Sequence, residues 1–344
     1  MPLIIPENYK LKLLPETTEL AIKLIKENFQ KELAGRLDLR RVTAPLFVLS
    51  GTGLNDDLNG VEHAVSFSID AMNGAHAEVV HSLAKWKRVK LAAYGIDPGF
   101  GLYTDMNAIR TFEDLDNLHS LYVDQWDWEK SIRPEQRNLD FLRLTVRDIY
   151  AALRKVEADI YAAFPHITPV LPEDVTFIHA QDLLDRYPEL SPREREREAA
   201  RQYGAVFIIG IGAPLSDGVP HDLRAPDYDD WSSPNQEGHI GLNGDLIVWD
   251  RVLDCPMELS SMGIRVDAPA LLRQLDMCAC PERKSLSFHR MLLEGRLPLS
   301  IGGGIGQSRL CMFLLQKAHI GEVQASLWPE DHIAACAKAG IALL

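Results

Sequence analysis

Glycine, arginine and carboxylate residues are grouped in this chain in ways that suit phosphate chemistry. The densest group is Ser300-Ile301-Gly302-Gly303-Gly304-Ile305-Gly306-Gln307-Ser308-Arg309. Apolar residues over 297–301 predict a short strand running into a glycine loop. Leu310, Phe313, Leu314 and Leu315 predict a helix beyond it, with Arg309 in the first turn. Glycine lets a backbone approach a ligand closely, and a helix N-terminus presents unpaired N–H groups to phosphate. Gly302, Gly303, Gly304 and Arg309 are therefore candidate nucleotide-binding residues. No Gly-Lys-Ser/Thr follows, so this is not a P-loop, and no glycine fills the last place of G-x-G-x-x-G, so it is not a dinucleotide fingerprint. A turn that only packs a strand closely on a helix would use such glycines too.

Carboxylates and amides form further groups. Arg110 precedes a loop ending near His119, and the run Tyr122-Val123-Asp124-Gln125-Trp126-Asp127-Trp128-Glu129 follows. In an extended chain Gln125, Asp127 and Glu129 share one face, while Asp124, Trp126 and Trp128 share the other. Buried carboxylates need partners, so the first face predicts a polar cavity; a two-faced strand open to water is the alternative. Ser82, Lys85, Lys87 and Arg88 open a predicted helix, where lysines can hold a substrate carboxylate. Taken alone, a basic helix face in water is the commoner meaning of such a run. Glu258 heads a segment with Ser260, Ser261 and Arg265. Such a glutamate can share Mg2+ with phosphate oxygens, and an ion-paired strand fits equally. The run from Arg224 to Asp230 includes Asp227 and Asp229. It is either a solvated acidic loop or a lid that offers negative charge to an ammonium group.

These groups must be carried by elements that can hold them. Residues 17–37 read as an amphipathic helix, capped by Thr17 or Thr18, with Leu20, Leu24, Phe29, Leu33 and Leu37 near one face. An extended segment over 41–49 follows, and Pro45 confines it to an edge or interface. A polar loop over 50–60 holds Asn55, Asp56 and Asp57, and Asn73-Gly74 marks a hairpin. A strand over 78–82 leads into the basic helix over 83–94. Residues 139–163 and 191–203 read as helices, the second a solvated one with a serine cap and Pro192 in its first turn. Apolar strands are expected at 206–211 and 245–249, joined by a long polar stretch over 212–244; loops of that length are usually functional or disordered.

Composition narrows the class. The length of 344 residues suggests about two domains, but no linker, repeat or low-complexity tract divides the chain, so one catalytic domain over 1–344 is expected. The formal charge of −13 repels a phosphate backbone, which argues against a large nucleic-acid footprint. Cys255, Cys278, Cys280, Cys311 and Cys336 are odd in number and dispersed, so reduced cysteines that bind no metal are expected. The sequence shows no signal-peptide core, and the apolar run over 205–215 is too short to span a bilayer. A cytoplasmic protein without membrane contact is the expectation.

The groups occur in the order of the three signatures of a class II aminoacyl-tRNA synthetase core: helix and strand over 17–49, Arg110 to Glu129, and Gly302 to Arg309. More specifically, His81-Ser-Leu-Ala-Lys-Trp-Lys-Arg, Tyr122 to Glu129, Leu223 to Trp231, Glu258-Leu-Ser-Ser-Met-Gly-Ile-Arg-Val and Ile301 to Arg309 resemble the ammonia-dependent asparagine synthetase family, through nearly the whole chain. The resemblance implies an α/β class II synthetase-like core, with a mainly antiparallel β-sheet flanked by helices, acting as a homodimer. It implies synthesis of asparagine from L-aspartate, ammonia and ATP through a β-aspartyl adenylate, with release of AMP and pyrophosphate. The family's site positions that match are Asp56, Ser82, Lys87, Arg110, Gln125, Asp127, Asp229, Glu258 and Arg309, and Ser261 is added as a substrate contact.

On this reading Arg110 takes the α-phosphate, Arg309 the γ-phosphate and adenine, Glu258 holds Mg2+, and Lys87 a substrate carboxylate. Gln125 and Asp127 orient the substrate, and Asp56 or Asp229 receives ammonium. Val123 departs from the wider synthetase pattern, in which an aromatic residue often stacks on adenine. Aspartyl- or asparaginyl-tRNA synthesis, and a silent paralogue that binds aspartate or AMP, are the competing expectations. The first lacks a separate anticodon-binding domain, and the second is opposed by the presence of Arg110, Glu258 and Arg309.

Overall fold

The computed structural model describes residues 3–56 and 63–344; Asp57 and the last three residues of its predicted loop, 58–60, lie outside them. In chain order the strands are β1 (Leu39–Arg41), β2 (Phe47–Leu49), β3 (Ser66–Ile69), β4 (Ala75–Val79), β5 (Gly101–Ile109), β6 (Tyr122–Ser131), β7 (Thr176–His179), β8 (Ala205–Ile209), β9 (Asn243–Asp250), β10 (Cys255–Ile264) and β11 (Ser300–Gly306). The helices are α1 (Pro15–Leu37), α2 (Ala84–Ala93), α3 (Leu139–Ala163), α4 (Ala180–Arg186), α5 (Pro192–Tyr203), α6 (Ala268–Met277), α7 (Ser287–Leu293), α8 (Gln307–Leu314) and α9 (Glu330–Lys338).

Eight strands form one sheet in the order β1-β5-β6-β11-β10-β9-β8-β7. Its interior pairs are antiparallel, and only the outer pairs β1/β5 and β7/β8 are parallel. One face is closed by α1 and α3. Trp126 and Trp128 of β6 turn to that side and are buried, and the Trp126 ring lies 4.7 Å from that of Phe29 on α1. Leu142, Val146, Ile149, Leu153, Val156 and Ile160 make the buried stripe of α3, at helical spacing. Asn138 caps that helix by accepting from the Phe141 N–H at 2.9 Å. The opposite face of β6 is polar, as its alternation predicts, and it opens into a cavity.

Several expectations are corrected. The first helix begins at Pro15, and neither threonine caps it: Thr18 is buried and its hydroxyl donates back to the Leu13 carbonyl. Leu20 is exposed, and Ala21, Ile22 and Ile25 fill the buried stripe instead. The segment over 41–49 is two strands in different sheets. Pro45, which has no N–H for a ladder, lies between β1 of the large sheet and β2 of a small sheet ordered β2-β4-β3. The glycines of 302–304 do not form a loop; they are the middle of β11, paired with β6 and β10. Side chains from those neighbours cross over them: a Cβ on Gly302 would strike Glu129 and Arg265, and one on Gly304 would strike Gln125. The glycines therefore make room for the polar groups of adjacent strands. The turn at Asn73 and Gly74 is as expected, with φ of 55° and 77°. Ser191 and Glu194 form a reciprocal cap on α5.

Candidate active site

A cavity of about 500 Å3 lies over β6, β10 and β11, roofed by the 222–229 segment. It collects most of the residues singled out in the sequence: Asp56, Ser82, Arg110, Gln125, Asp127, Asp229, Glu258, Ser261, Gly303, Gly304 and Arg309 all line it. Gly302 and Lys87 do not.

Lys87 needs correction. Its ammonium is completely buried beneath the cavity floor and ion-paired with Asp127. It also donates to the carbonyls of Trp128 at 2.9 Å and Gly303 at 3.1 Å. Three protons meet three acceptors, so none is left for a substrate carboxylate. Burial pushes the Lys87 pKa down, and Asp127 and Glu129 oppose that. Its neighbours are structural too. Lys85 pairs with Asp227 at 3.0 Å, and Arg88 donates to the Pro298 and Val266 carbonyls at 2.9 and 2.7 Å. The start of α2 is thus neither a solvated basic face nor a carboxylate clamp.

Near the start of α2 the cavity is lined by groups that suit an amino acid. Asp127 also accepts from the Leu83 N–H at 3.1 Å, which fixes its carboxylate. Gln125 makes no side-chain hydrogen bond among the described residues and faces the cavity. Ser82 keeps its hydroxyl near the mouth of α2, accepting from the Ala84 N–H at 3.1 Å. Asn55 secures the segment before Asp56 by accepting from the His81 N–H at 2.8 Å.

Beside these groups lies a buried charge cluster. Arg265 donates from Nε and Nη2 to Glu129 at 3.1 and 2.9 Å, and from Nη1 to Asp229. Burial raises the Asp229 carboxyl despite Arg265. Burial would raise Glu129 as well, but Arg265 and Lys87 reverse the shift and hold it down. The roof is pinned from behind by Asp227. Burial opposes its charge, yet Lys85 and His289 hold its carboxyl well below the usual range.

The arginines of the lining suit polyphosphate. Arg309 donates to the Glu258 carbonyl at 3.1 Å and stands 3.9 Å from its carboxylate. Arg110 stands 4.0 Å from Glu113, and its buried Nε has no partner among the described residues. Arg224 is ion-paired with Asp245 and lies 3.2 Å from Asp222. The Glu258 side chain lines the cavity and is 43% exposed. Burial and the nearby Asp245 push its carboxyl up, against Arg309 and Arg224. Gly303 and Gly304 line the cavity from within β11, and the Ser308 N–H in the first turn of α8 is spent on Asp124 at 3.0 Å.

Arg224, Asp245 and Arg265 were not assigned roles from sequence. A usable signal existed for Asp245, a carboxylate at the head of the apolar strand over 245–249. Arg224 and Arg265 have buried carboxylate partners, Asp245 and Glu129, that lie 21 and 136 residues away.

A family model described as aspartate-ammonia ligase matches residues 16–340. The chain is 60% identical over 342 residues to the aspartate–ammonia ligase of Parabacteroides distasonis, and 57% identical to that of Clostridium perfringens, covering 99% of each chain. It is 53% identical to that of Lactobacillus johnsonii over the full length of both. Among solved structures, Entamoeba histolytica asparaginyl-tRNA synthetase in complex with asparaginyl-adenylate superposes with a TM-score of 0.63 at 15% identity, over 90% of this chain and 66% of that one. The Pyrococcus horikoshii asparaginyl-tRNA synthetase complexed with asparaginyl-adenylate gives 0.60 at 16%, over 94% and 76%. These two likenesses carry the fold: the class II synthetase architecture.

Proposed function

Because the chain belongs to the aspartate–ammonia ligase family, we propose that it makes L-asparagine from L-aspartate, ammonia and ATP. The carrying observation is that one cavity brings Gln125, Asp127 and Asp229 together with Arg110, Arg224 and Arg309. A β-carboxylate oxygen of aspartate attacks the α-phosphorus of ATP, and pyrophosphate leaves. Ammonium gives a proton to a carboxylate, and ammonia attacks the acyl carbon and displaces AMP. In-line phosphoryl chemistry of this kind depends on positioning and charge neutralisation. Arg110 is assigned the α-phosphate and Arg309 the γ-phosphate and adenine; Gln125, Asp127, Ser82 and Ser261 orient aspartate. Asp56 or Asp229 receives the ammonium proton. Lys87 acts through Asp127, whose carboxylate it holds.

Glu258 in the cavity wall and Asp245 behind it suit Mg2+. Asp245 has a buried oxygen without a hydrogen bond among the described residues, and Glu258 beside it has a raised carboxyl that a dication would relieve. Among the described residues no three His, Cys, Asp or Glu side chains are grouped as a metal cage. Mg2+ usually completes its shell with substrate phosphates and water, so one or two carboxylates suffice. When bound, the ion supplies charge neutralisation at the phosphate oxygens.

Hydroxylamine in place of ammonia checks the reaction. With aspartate and ATP it should yield β-aspartyl hydroxamate, AMP and pyrophosphate. ADP as product would exclude the adenylate, and the α-hydroxamate would mean that aspartate binds as in a tRNA synthetase.

We further propose one catalytic unit, since a single sheet draws strands from residue 39 to residue 306. A homodimer is supported by an apolar face on the small sheet, where Leu46, Phe47, Leu49 and Phe67 are 40–50% exposed. Phe47 and Phe67 pack edge to face at 5.1 Å there. Sedimentation should give a dimer, and Phe47→Asp should shift it toward monomer; an unaltered dimer would place the interface elsewhere. The charge of −13 opposes tRNA binding, so no nucleic-acid partner is proposed. No described helix is long and apolar enough to cross a membrane, and all five cysteines are unpaired. Both suit the cytoplasm, where ATP is available, and no membrane partner is proposed.

A further inference from the structure

Arg193 occupies the second position of α5, a helix whose alternating charges read from sequence as a solvated face. It nevertheless lines the cavity. The other arginines there are engaged: Arg265 with Glu129 and Asp229, Arg224 with Asp245 and Asp222, Arg309 with Glu258, and Arg110 beside Glu113. Arg193 has no ion pair or hydrogen bond among the described residues, and its side chain is exposed.

Its place in the fold says what it faces. The helix packs across β9 and β10, and β10 carries Glu258. One turn further along α5, Glu196 lies 3.0 Å from His221, which leads into Asp222 and Arg224. Arg193 therefore lines the cavity from a helix packed on the strand that carries Glu258. Guanidinium is the side chain best matched to phosphate oxygens, through its planar fork of donors. An arginine already held by a carboxylate must give up that contact to bind phosphate, whereas Arg193 gives up only water.

We infer that Arg193 binds the outer phosphates of the nucleotide, and then the pyrophosphate that leaves. This rests on ATP being the substrate and adds a residue for the leaving group. Calorimetry with Mg2+ present tests it, using pyrophosphate, ATP and AMP as probes on wild type, Arg193→Ala and Arg193→Lys. Loss of a partly exposed charge-assisted contact should weaken pyrophosphate and ATP about tenfold in the alanine variant. The lysine variant should fall between. AMP, which lacks the outer phosphates, should bind within about twofold of wild type, and the KM for aspartate should hold. Equal pyrophosphate affinity in wild type and Arg193→Ala overturns the inference, as does an equal loss for AMP, which would indicate a structural role. A wild-type protein that binds neither ATP nor pyrophosphate defeats the ATP reading itself, and this inference with it.

Discussion

Arg265→Met is expected to lower the stability of the fold by about 3–5 kcal/mol, because it strands two buried carboxylates. Arg265, Glu129 and Asp229 are each 2% exposed or less. The guanidinium meets Glu129 with two of its nitrogens and Asp229 with a third. Lys87, with its bonds to Asp127 and two carbonyls, is 3.9 Å from Glu129 and cannot replace that fork. The loss should depend on pH. Glu129 has a depressed carboxyl, so its contribution is present above its unfolded pKa and is lost as pH falls through the lower folded value. A protonated carboxyl is cheaper to bury without a partner. The gap between wild type and variant should thus be widest near neutrality and narrow toward acid. Urea denaturation at several pH values measures it; a loss under about 1 kcal/mol at neutral pH would mean that the cluster contributes no such stabilisation.

The sequence foretold those elements whose information is local. The period-2 alternation of β6 placed Trp126 and Trp128 in the core, Gln125 and Asp127 in the cavity wall, and Glu129 buried on that same polar face. Ser191 and Pro192 marked the start of α5 to the residue. Misreadings arose where a distant partner decides what a residue does. Gly302 to Gly304 look like a phosphate loop because flexibility is the usual reason for three glycines. Here the reason is the bulk of Glu129, Arg265 and Gln125 on the flanking strands. Lys85, Lys87 and Arg88 look like a charged face because lysine and arginine are seldom buried. All three are buried here, satisfied by carboxylates and carbonyls from elsewhere in the chain. The cavity's residue types were legible, but which arginine holds the protein together and which is left for a ligand was not, since pairing is a property of the fold.

Arg309 stands on the other side of that division, and Arg309→Ala should remove most activity while leaving the fold intact. Its side chain is 25% exposed to the cavity, and among the described residues its one hydrogen bond is to the carbonyl of Glu258. Little inside the protein depends on it, so melting should stay within a few degrees of wild type. Toward the nucleotide the case is reversed. A guanidinium aimed at a polyphosphate in an enclosed site stabilises charge that grows on the leaving group, and removing one such group costs about 2–4 kcal/mol in the transition state. That corresponds to roughly 30- to 1,000-fold in kcat/KM, since 1.4 kcal/mol is a factor of ten. Arg309→Lys keeps the charge and loses the fork, so it should recover part of the loss. The informative comparison is with Arg265→Met: one arginine change should be read in denaturation and the other in turnover. A folded Arg309→Ala protein with near-normal turnover would refute the assigned role, and an unfolded one would mean that Arg309, like Arg265, belongs to the framework.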